Sequence, residues 1–432
     1  MATYRFVHAS DLHLDSQFGV LSSEFPDLAE ILRKSTFETY DRIVDLCIEA
    51  EVDALLIAGD VFDSADKSTL GAQLSFVSGL ERLSRHGIRA FVCHGNHDPL
   101  DGWQAGLDWP EGAHQFGPEP HAIPFDDDDP HGPIVTGVSY PTQEVRTNLV
   151  KLFPPPIATR PSIGLIHANV GADTGHENYA PCTIENLVAS GHDYWALGHV
   201  HTRREIRGLD GGAPVVVYPG NSQGRHHNER GPRGVYKVEM DEHGGVTKLE
   251  FHPTDGTRWE ELVCSIDELQ TDQDLIDALD EKVNSAIDGN DGRHLVYRIR
   301  LTGSGSLHDS LVRPNYSSDL RDRLNSTFTG LRPFALCEKI VDGSSMQFDR
   351  EQLAFGTDFV ADLLTLIDQI KKAPEQLAQL KDSAELEKLY EHSKARRYIR
   401  DSVPSESILI DLIDEAERIL LFYLVEEEGS QS

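Results

Sequence analysis

Apolar residues recur in two rhythms along the first half of this chain, and the alternation between them predicts its architecture. YRFVHAS (4–10) is a short strand-like run that stops at the polar string DLHLD. FETYDRIVDLCIEAEV (37–52) has apolar residues at helical spacing, and DALLIAGDVFD (53–63) is a buried strand that breaks into a polar loop. The cycle repeats, with LGAQLSFVSGLERLSRHG (70–87) as helix and IRAFVCHGNHD (88–98) as strand and loop. Two strand-to-loop transitions therefore deliver polar residues from the same end of a sheet, where open α/β folds place ligands.

From about Trp109 to Pro161 the rhythm loosens, and the prolines, glycines and Asp126–Asp129 run of residues 111–133 predict a surface excursion. That acid run is a solvated loop or a calcium site, although it lacks the spacing of a helix-loop-helix calcium loop. Order returns with PSIGLIHANV (161–170), DYWALGHVH (193–201) and APVVVYPGNS (213–222), each β-rich and ending in Gly, His, Asn or Pro. After about Pro253 the character changes. HLVYRIRLTG (294–303) and an amphipathic stretch at 274–287 suggest a smaller α/β domain, and two helical segments follow at 359–396 and 407–427, the first divided or kinked at Pro374. We expect domains at 1–253, 254–349 and 350–432.

Composition narrows the classes. The 39% hydrophobic content of these 432 residues fits a globular chain. No early apolar run is long enough for a signal peptide and ILLFYLVE (419–426) is too short for a bilayer, so a cytoplasmic protein is expected, without a membrane partner. Cys47, Cys93, Cys182, Cys264 and Cys337 form no CxxC pair and read as separate thiols rather than a disulfide framework or a zinc knuckle. The formal net charge of -33 disfavours long-range attraction to nucleic acid, although a bound metal pair reverses the potential inside one cleft. High internal salt would screen such acidity.

The chemistry lies at the strand ends. Asp11 and His13 stand two apart in DLH; if the chain stays extended there, both leave on one face and can hold one ion. Asp60 in GDVFD has two carboxylate oxygens, enough to bridge cations about 3.5–4 Å apart; Asp63 then braces the loop. In GNHD, Asn96 offers a neutral oxygen, while His97 suits proton donation to a leaving oxygen, its ring oriented by Asp98. His167 ends GLIHA, and His199 and His201 form GHVH; imidazoles with carboxylates suit manganese, iron or zinc. Each motif alone can be an ordinary turn, cap or surface residue. The recurrence of D-x-H, GD, GNH, H and GHVH at successive strand ends is the specific signal, and it predicts a dinuclear centre in which a water becomes the hydroxide that attacks phosphorus. The chain has no GxxxxGK[ST] loop, which argues against ATP hydrolysis.

In this order the motifs resemble the calcineurin-like metallophosphoesterases. HASDLHLDSQF, LLIAGDVFD, VCHGNHDP, LIHANV, ALGHVHTRR and YPGNSQGRHHNERGPRG resemble more narrowly the bacterial SbcD-type DNA-repair exonucleases, in their YhaO-like branch, most strongly over residues 1–250. The resemblance implies an α/β fold: a metallophosphoesterase β-sandwich flanked by helices, then a small α/β capping domain and C-terminal helices. It implies two divalent cations, Mn2+, bridged by Asp60, with Asp11, His13 and His201 completing one ion and Asn96, His167 and His199 the other. His97 acts on the scissile phosphate from outside the ligand set. Arg225 and His226 contact substrate phosphate or, on the alternative reading, belong to a structural loop with Gly220, Asn221 and Gln223. DNA is the implied substrate, and an SbcC-like coiled-coil ATPase the implied partner of the terminal helices, which otherwise pack on this same chain; a homodimer is compatible with the sequence. Metal-dependent exonuclease activity on DNA leads, ahead of a phosphatase or small-molecule phosphodiesterase and of a non-catalytic scaffold.

Overall fold

The structure, a computed structural model, describes residues 2–17, 25–63, 69–102, 106–171, 177–207, 213–346, 350–356, 359–373, 377 and ten positions between 409 and 424. Two compact units divide it: 1–261 with 286–297 and 328–338, and 262–285 with 298–327 and 339–432. The first holds two six-stranded sheets. In one, β1 (Thr3–Ala9), β2 (Ala54–Ala58), β3 (Arg89–Cys93) and β4 (Ala113–Gln115) run parallel, and β11 (Gly234–Asp241) and β12 (Val246–Pro253) continue it antiparallel from β1. The other orders β5 (His121–Pro124), β6 (Ile134–Val138), β7 (Ser162–His167), β8 (Tyr194–Gly198), β10 (Val215–Tyr218) and β9 (Arg204–Arg207), with β6, β7, β8 and β10 parallel.

Side-chain alternation explains the layering. Phe6, Leu56 and Phe91 point inward from the first sheet and meet Val135, Leu165, Tyr194 and Val217 of the second. Val7, Leu55, Ile57 and Val92 face the other way, onto α1 (Pro26–Glu49) and α2 (Leu70–Arg85), where Tyr40, Val44, Phe76 and Leu80 cover them. On the far side, Trp195, Leu197 and Val216 are covered by Leu187 of α3 (Ile184–Ser190) and by Leu149, Val150 and Phe153. The parallel strands β2, β6, β7, β8 and β10 are thus buried on both faces, which is why they read as largely apolar runs. Each large side chain so buried contributes about 1.5–3 kcal/mol. The β-sandwich flanked by helices is the expected architecture.

The loosened segment is more ordered than its composition suggested. It contains β4, β5 and β6, and Phe116, Phe125, Val135, Val138 and Tyr140 are all buried. Short strands separated by Pro and Gly carry too few residues to show a period. Asp126, Asp127 and Asp128 are exposed as expected, while Asp129 accepts a hydrogen bond from the Tyr4 hydroxyl at 3.0 Å.

A three-stranded sheet orders β13 (Thr257–Ser265), β14 (His294–Thr302) and β15 (Ala335–Asp342), accompanied in sequence by α4 (Asp272–Asp288), α5 (His308–Leu311) and α6 (Tyr316–Phe328). Then come α7 (Arg350–Ala354) and α8 (Phe359–Lys372), the latter burying Val360 and Leu364 against Leu421. Arg350 Nη2 donates to Asp368 at 2.6 Å and its Nε to Glu417 at 2.5 Å, so one face of α8 packs on this chain. Pro374 and most of 374–408 lie outside the described residues, and 409–424 is described in part. All five cysteines are free and buried. Among the described residues no helix is long and apolar enough to cross a membrane.

Candidate metal centre

The candidate ligands leave the C-terminal ends of parallel strands in both sheets. Asp11 and His13 lie beyond the end of β1, and the chain there is not extended: their φ values are 51° and 45°. Spacing on an extended strand is therefore not what aligns them. The loop is laid along the one after β2 by backbone hydrogen bonds from Asp11 to Gly59 (3.0 Å), His13 to Asp60 (3.1 Å) and Leu14 to Val61 (2.9 Å). Asp60 and His199 also have positive φ, 50° and 96°. Left-handed backbone at non-glycine residues costs about 1–3 kcal/mol each, and such strain clusters where side chains must be aimed at one point.

All seven side chains converge. His201 Nε2 lies 3.6 Å from Asp11 Oδ1 and 3.3 Å from His13 Nε2. His13 Nε2 is 3.8 Å and His167 Nε2 3.4 Å from the same oxygen of Asp60, Oδ2. Asn96 Oδ1 is 3.1 Å from His167 Nε2, and the His167 and His199 rings are 5.1 Å apart. Asp11, His13 and His201 form one group of donors within 4.8 Å of one another, and Asp11, Asp60 and His167 another. Glycines make this approach possible. A methyl on Gly59, whose φ is +88°, would sit 2.4 Å from His167 Nδ1, and one on Gly95 would sit 2.3 Å from Asp60 Oδ1.

The donor set suits borderline divalent cations: carboxylate and amide oxygens with imidazoles, and no thiolate in either group. Its electrostatics agree. Burial alone would raise Asp11 and Asp60, but neighbouring histidines, His167 foremost, hold both below the usual carboxylate range. Burial likewise depresses His167, yet Asp60 and Asp11 outweigh it and lift the imidazole to about 9. Burial and the Arg225 charge take His13 down to about 4; burial and the His167 charge take His199 to about 4. These residues fit a cation pair.

The surrounding groups revise one role and add another. His97 belongs to a third cluster with His13 and Asp60, and its Nδ1 lies 2.5 Å from the Asp63 carbonyl oxygen. Asp98 does not orient that ring. Its carboxylate accepts from the backbone of Val61 and Gly95, each at 2.8 Å, and pairs with His94 Nδ1 at 3.0 Å, tying the GNHD loop to the GDVFD loop. A side chain adjacent in sequence points elsewhere in a tight turn. Arg225 donates to Asp63 Oδ1 at 2.5 Å, and half-exposed His226 lies 3.4 Å from Glu229. Gln223 is buried, accepting from Gly256 at 2.8 Å and donating to Thr257 at 2.7 Å, so it shapes its loop from inside. Sequence reasoning missed Glu229, buried and 2.6 Å from His201 Nδ1. Its separation from GHVH carries no motif, and only its place in HHNERG could have drawn attention.

Comparison with known proteins agrees with this geometry. Residues 4–203 match the calcineurin-like phosphoesterase family, and 259–344 match the middle domain of metallophosphoesterase YhaO. The chain is 37% identical over 265 residues to the metallophosphoesterase YhaO of Bacillus subtilis, covering 61% of this chain and 63% of that one. It is 27% identical over 231 residues to the DNA double-strand break repair protein Mre11 of Sulfurisphaera tokodaii (50% of this chain, 54% of that one). It is also 27% identical over 295 residues to the Mre11 of Methanopyrus kandleri (60% and 61%). The matched region thus spans between 54% and 63% of these relatives' own lengths. Residues 4–203 therefore carry a calcineurin-like phosphoesterase domain, followed at 259–344 by a YhaO-type middle domain.

Proposed function

We propose that this protein hydrolyses phosphodiester bonds in DNA, as an exonuclease in DNA repair, with two manganese ions. The observation that carries the hydrolytic reading is the convergence of Asp11, His13, Asp60, Asn96, His167, His199 and His201 on one buried point from loops of two sheets. Likeness to proteins named for double-strand break repair supports DNA as the substrate. Asp60 would bridge the ions, with Asp11, His13 and His201 holding one and Asn96, His167 and His199 the other. A bound pair supplies the Lewis acidity that offsets phosphoryl charge and activates water.

The chain's own groups do the rest. His97 gives its Nδ1–H to the Asp63 carbonyl, so as the imidazolium it would hold a second proton, on Nε2, to pass to the leaving oxygen. Asp98 fixes the two loops that carry Asp60 and Asn96. Arg225 and His226 flank the cluster and suit contact with the phosphate backbone, Arg through its planar donors. Exposed Phe355, Phe359 and Leu366 in the second unit support a further role in binding an SbcC-like coiled-coil ATPase. A cytoplasmic location fits that partner.

The test is a metal-controlled nuclease assay on a duplex with defined 3′ and 5′ ends, beside a nucleotide monophosphate and a cyclic nucleotide. We expect manganese-dependent release of nucleotides from the duplex, abolished in Asp60→Asn. Turnover of the small phosphates alone would replace DNA with a small-molecule substrate. Full activity in Asp60→Asn would overturn the dinuclear mechanism.

A further inference from the structure

Behind His201 stands a carboxylate with both oxygens engaged. Glu229 is buried, its side chain 5% exposed, and Oε1 pairs with His201 Nδ1 at 2.6 Å. Oε2 accepts from Asn221 Nδ2 at 2.8 Å and from the Arg225 backbone N–H at 2.7 Å. Arg233 holds Asn221 in turn, donating to its Oδ1 at 2.9 Å. An imidazole that gives its Nδ1 proton to a carboxylate presents Nε2 as a stronger donor in a fixed direction. Here that direction is toward Asp11 and His13. The same loop reaches the second imidazole of the group: the Arg225 guanidinium holds Asp63 Oδ1, which lies 3.3 Å from His13 Nδ1.

We propose that Glu229 is a positioning residue for one of the two cations, the one held by Asp11, His13 and His201, and that Asp63 serves the same cation from behind His13. The inference rests on the dinuclear reading above. Glutamine at 229 cannot reproduce the arrangement: its amide places an N–H against either the His201 N–H or the donors of Asn221 and Arg225. A purely structural Glu229 would instead pin its loop, and its loss would disturb both cations alike.

The experiment titrates full-length wild type, Glu229→Gln, Asp63→Asn and Asp60→Asn with Mn(II), reading free manganese by electron paramagnetic resonance, with thermal unfolding of each metal-free protein as the folding control. Wild type should take up two ions. Glu229→Gln should weaken one binding step by about 10–100-fold and leave the other unchanged, and Asp63→Asn, nearer the surface, should weaken the same step. Wild-type binding by Glu229→Gln, or equal weakening of both steps, overturns the proposal. If Glu229→Gln fails to fold, Asp63→Asn decides: a selective loss supports the proposal and unchanged binding defeats it. A wild type that binds fewer than two ions, or an Asp60→Asn protein that keeps both, brings down the dinuclear reading instead.

Discussion

Replacing Gly198 with alanine tests whether the close approach of the two sheets sets the geometry of the centre. A methyl built on Gly198 would lie 1.8 Å from the Ala58 carbonyl oxygen and 2.8 Å from His167 Nδ1. Carbon contacts settle near 3.5 Å, so relief requires a displacement of about 1.7 Å. The obstacle is backbone, and no rotamer removes it. Ala58 precedes Gly59 and Asp60, and Gly198 precedes His199, so the same displacement separates groups proposed to share an ion pair. The Ala58 oxygen also accepts from His167 Nδ1 at 2.9 Å, a contact the methyl disrupts. Overpacking of this kind costs about 1–3 kcal/mol, and misplacing reacting groups by about 1 Å costs on the order of 100-fold in rate. Manganese-dependent turnover of a chromogenic phosphodiester should therefore fall about 100-fold, with a lower Tm. Gly117→Ala is the control, since a methyl there meets nothing within 4 Å. Wild-type turnover and Tm in Gly198→Ala would refute the reasoning.

Other outcomes follow from the same structure. His97→Ala should keep both ions while turnover falls by about 10²–10⁴-fold; loss of both ions, measured by metal analysis, would contradict its assignment outside the ligand set. Chelation should lower Tm, because each ion present at about 100 times its Kd adds about 2.7 kcal/mol; a Tm indifferent to chelator and manganese argues against cations bound to the folded state. His192 packs against Phe153 and Trp195, with centroids 5.7 and 5.1 Å away, and burial takes it down to about 4. Because the unfolded chain holds that proton near pH 6.5, this contribution to stability is complete above pH 6.5 and is lost as pH falls toward 4, by about 2 kcal/mol between pH 7 and pH 5. Denaturant unfolding of His192→Leu should show a smaller loss than wild type over that interval, and equal losses would exclude the assignment.

Strand ends were legible because burial on both faces writes each strand as an apolar run, and the run stops where the polar groups begin. DALLIA before Gly59 and DYWAL before Gly198 are of this kind, and the structure ends β2 at Ala58 and β8 at Gly198. Local geometry was not legible. The left-handed backbone at Asp11 and His13 is imposed by hydrogen bonds to residues 59 and 60, a contact across the sheet that spacing cannot encode. Asp98 follows His97 directly yet turns away from it, and Glu229 reaches His201 from a distant loop; neither direction is a function of sequence separation. Between Trp109 and Pro161 the strands were too short to carry a period.

The division of donors between sheets has a consequence for biogenesis. Asp11, His13, Asp60 and Asn96 follow strands of one sheet, and His167, His199 and His201 follow strands of the other. Each proposed ion draws on both, so a nascent chain that has emerged only through β4 holds Asp11, His13, Asp60 and Asn96 but cannot assemble either ligand set. The proposed hydrolytic chemistry would then be withheld until the strands that carry the three later histidines have been made, and a partly emerged chain would be inactive.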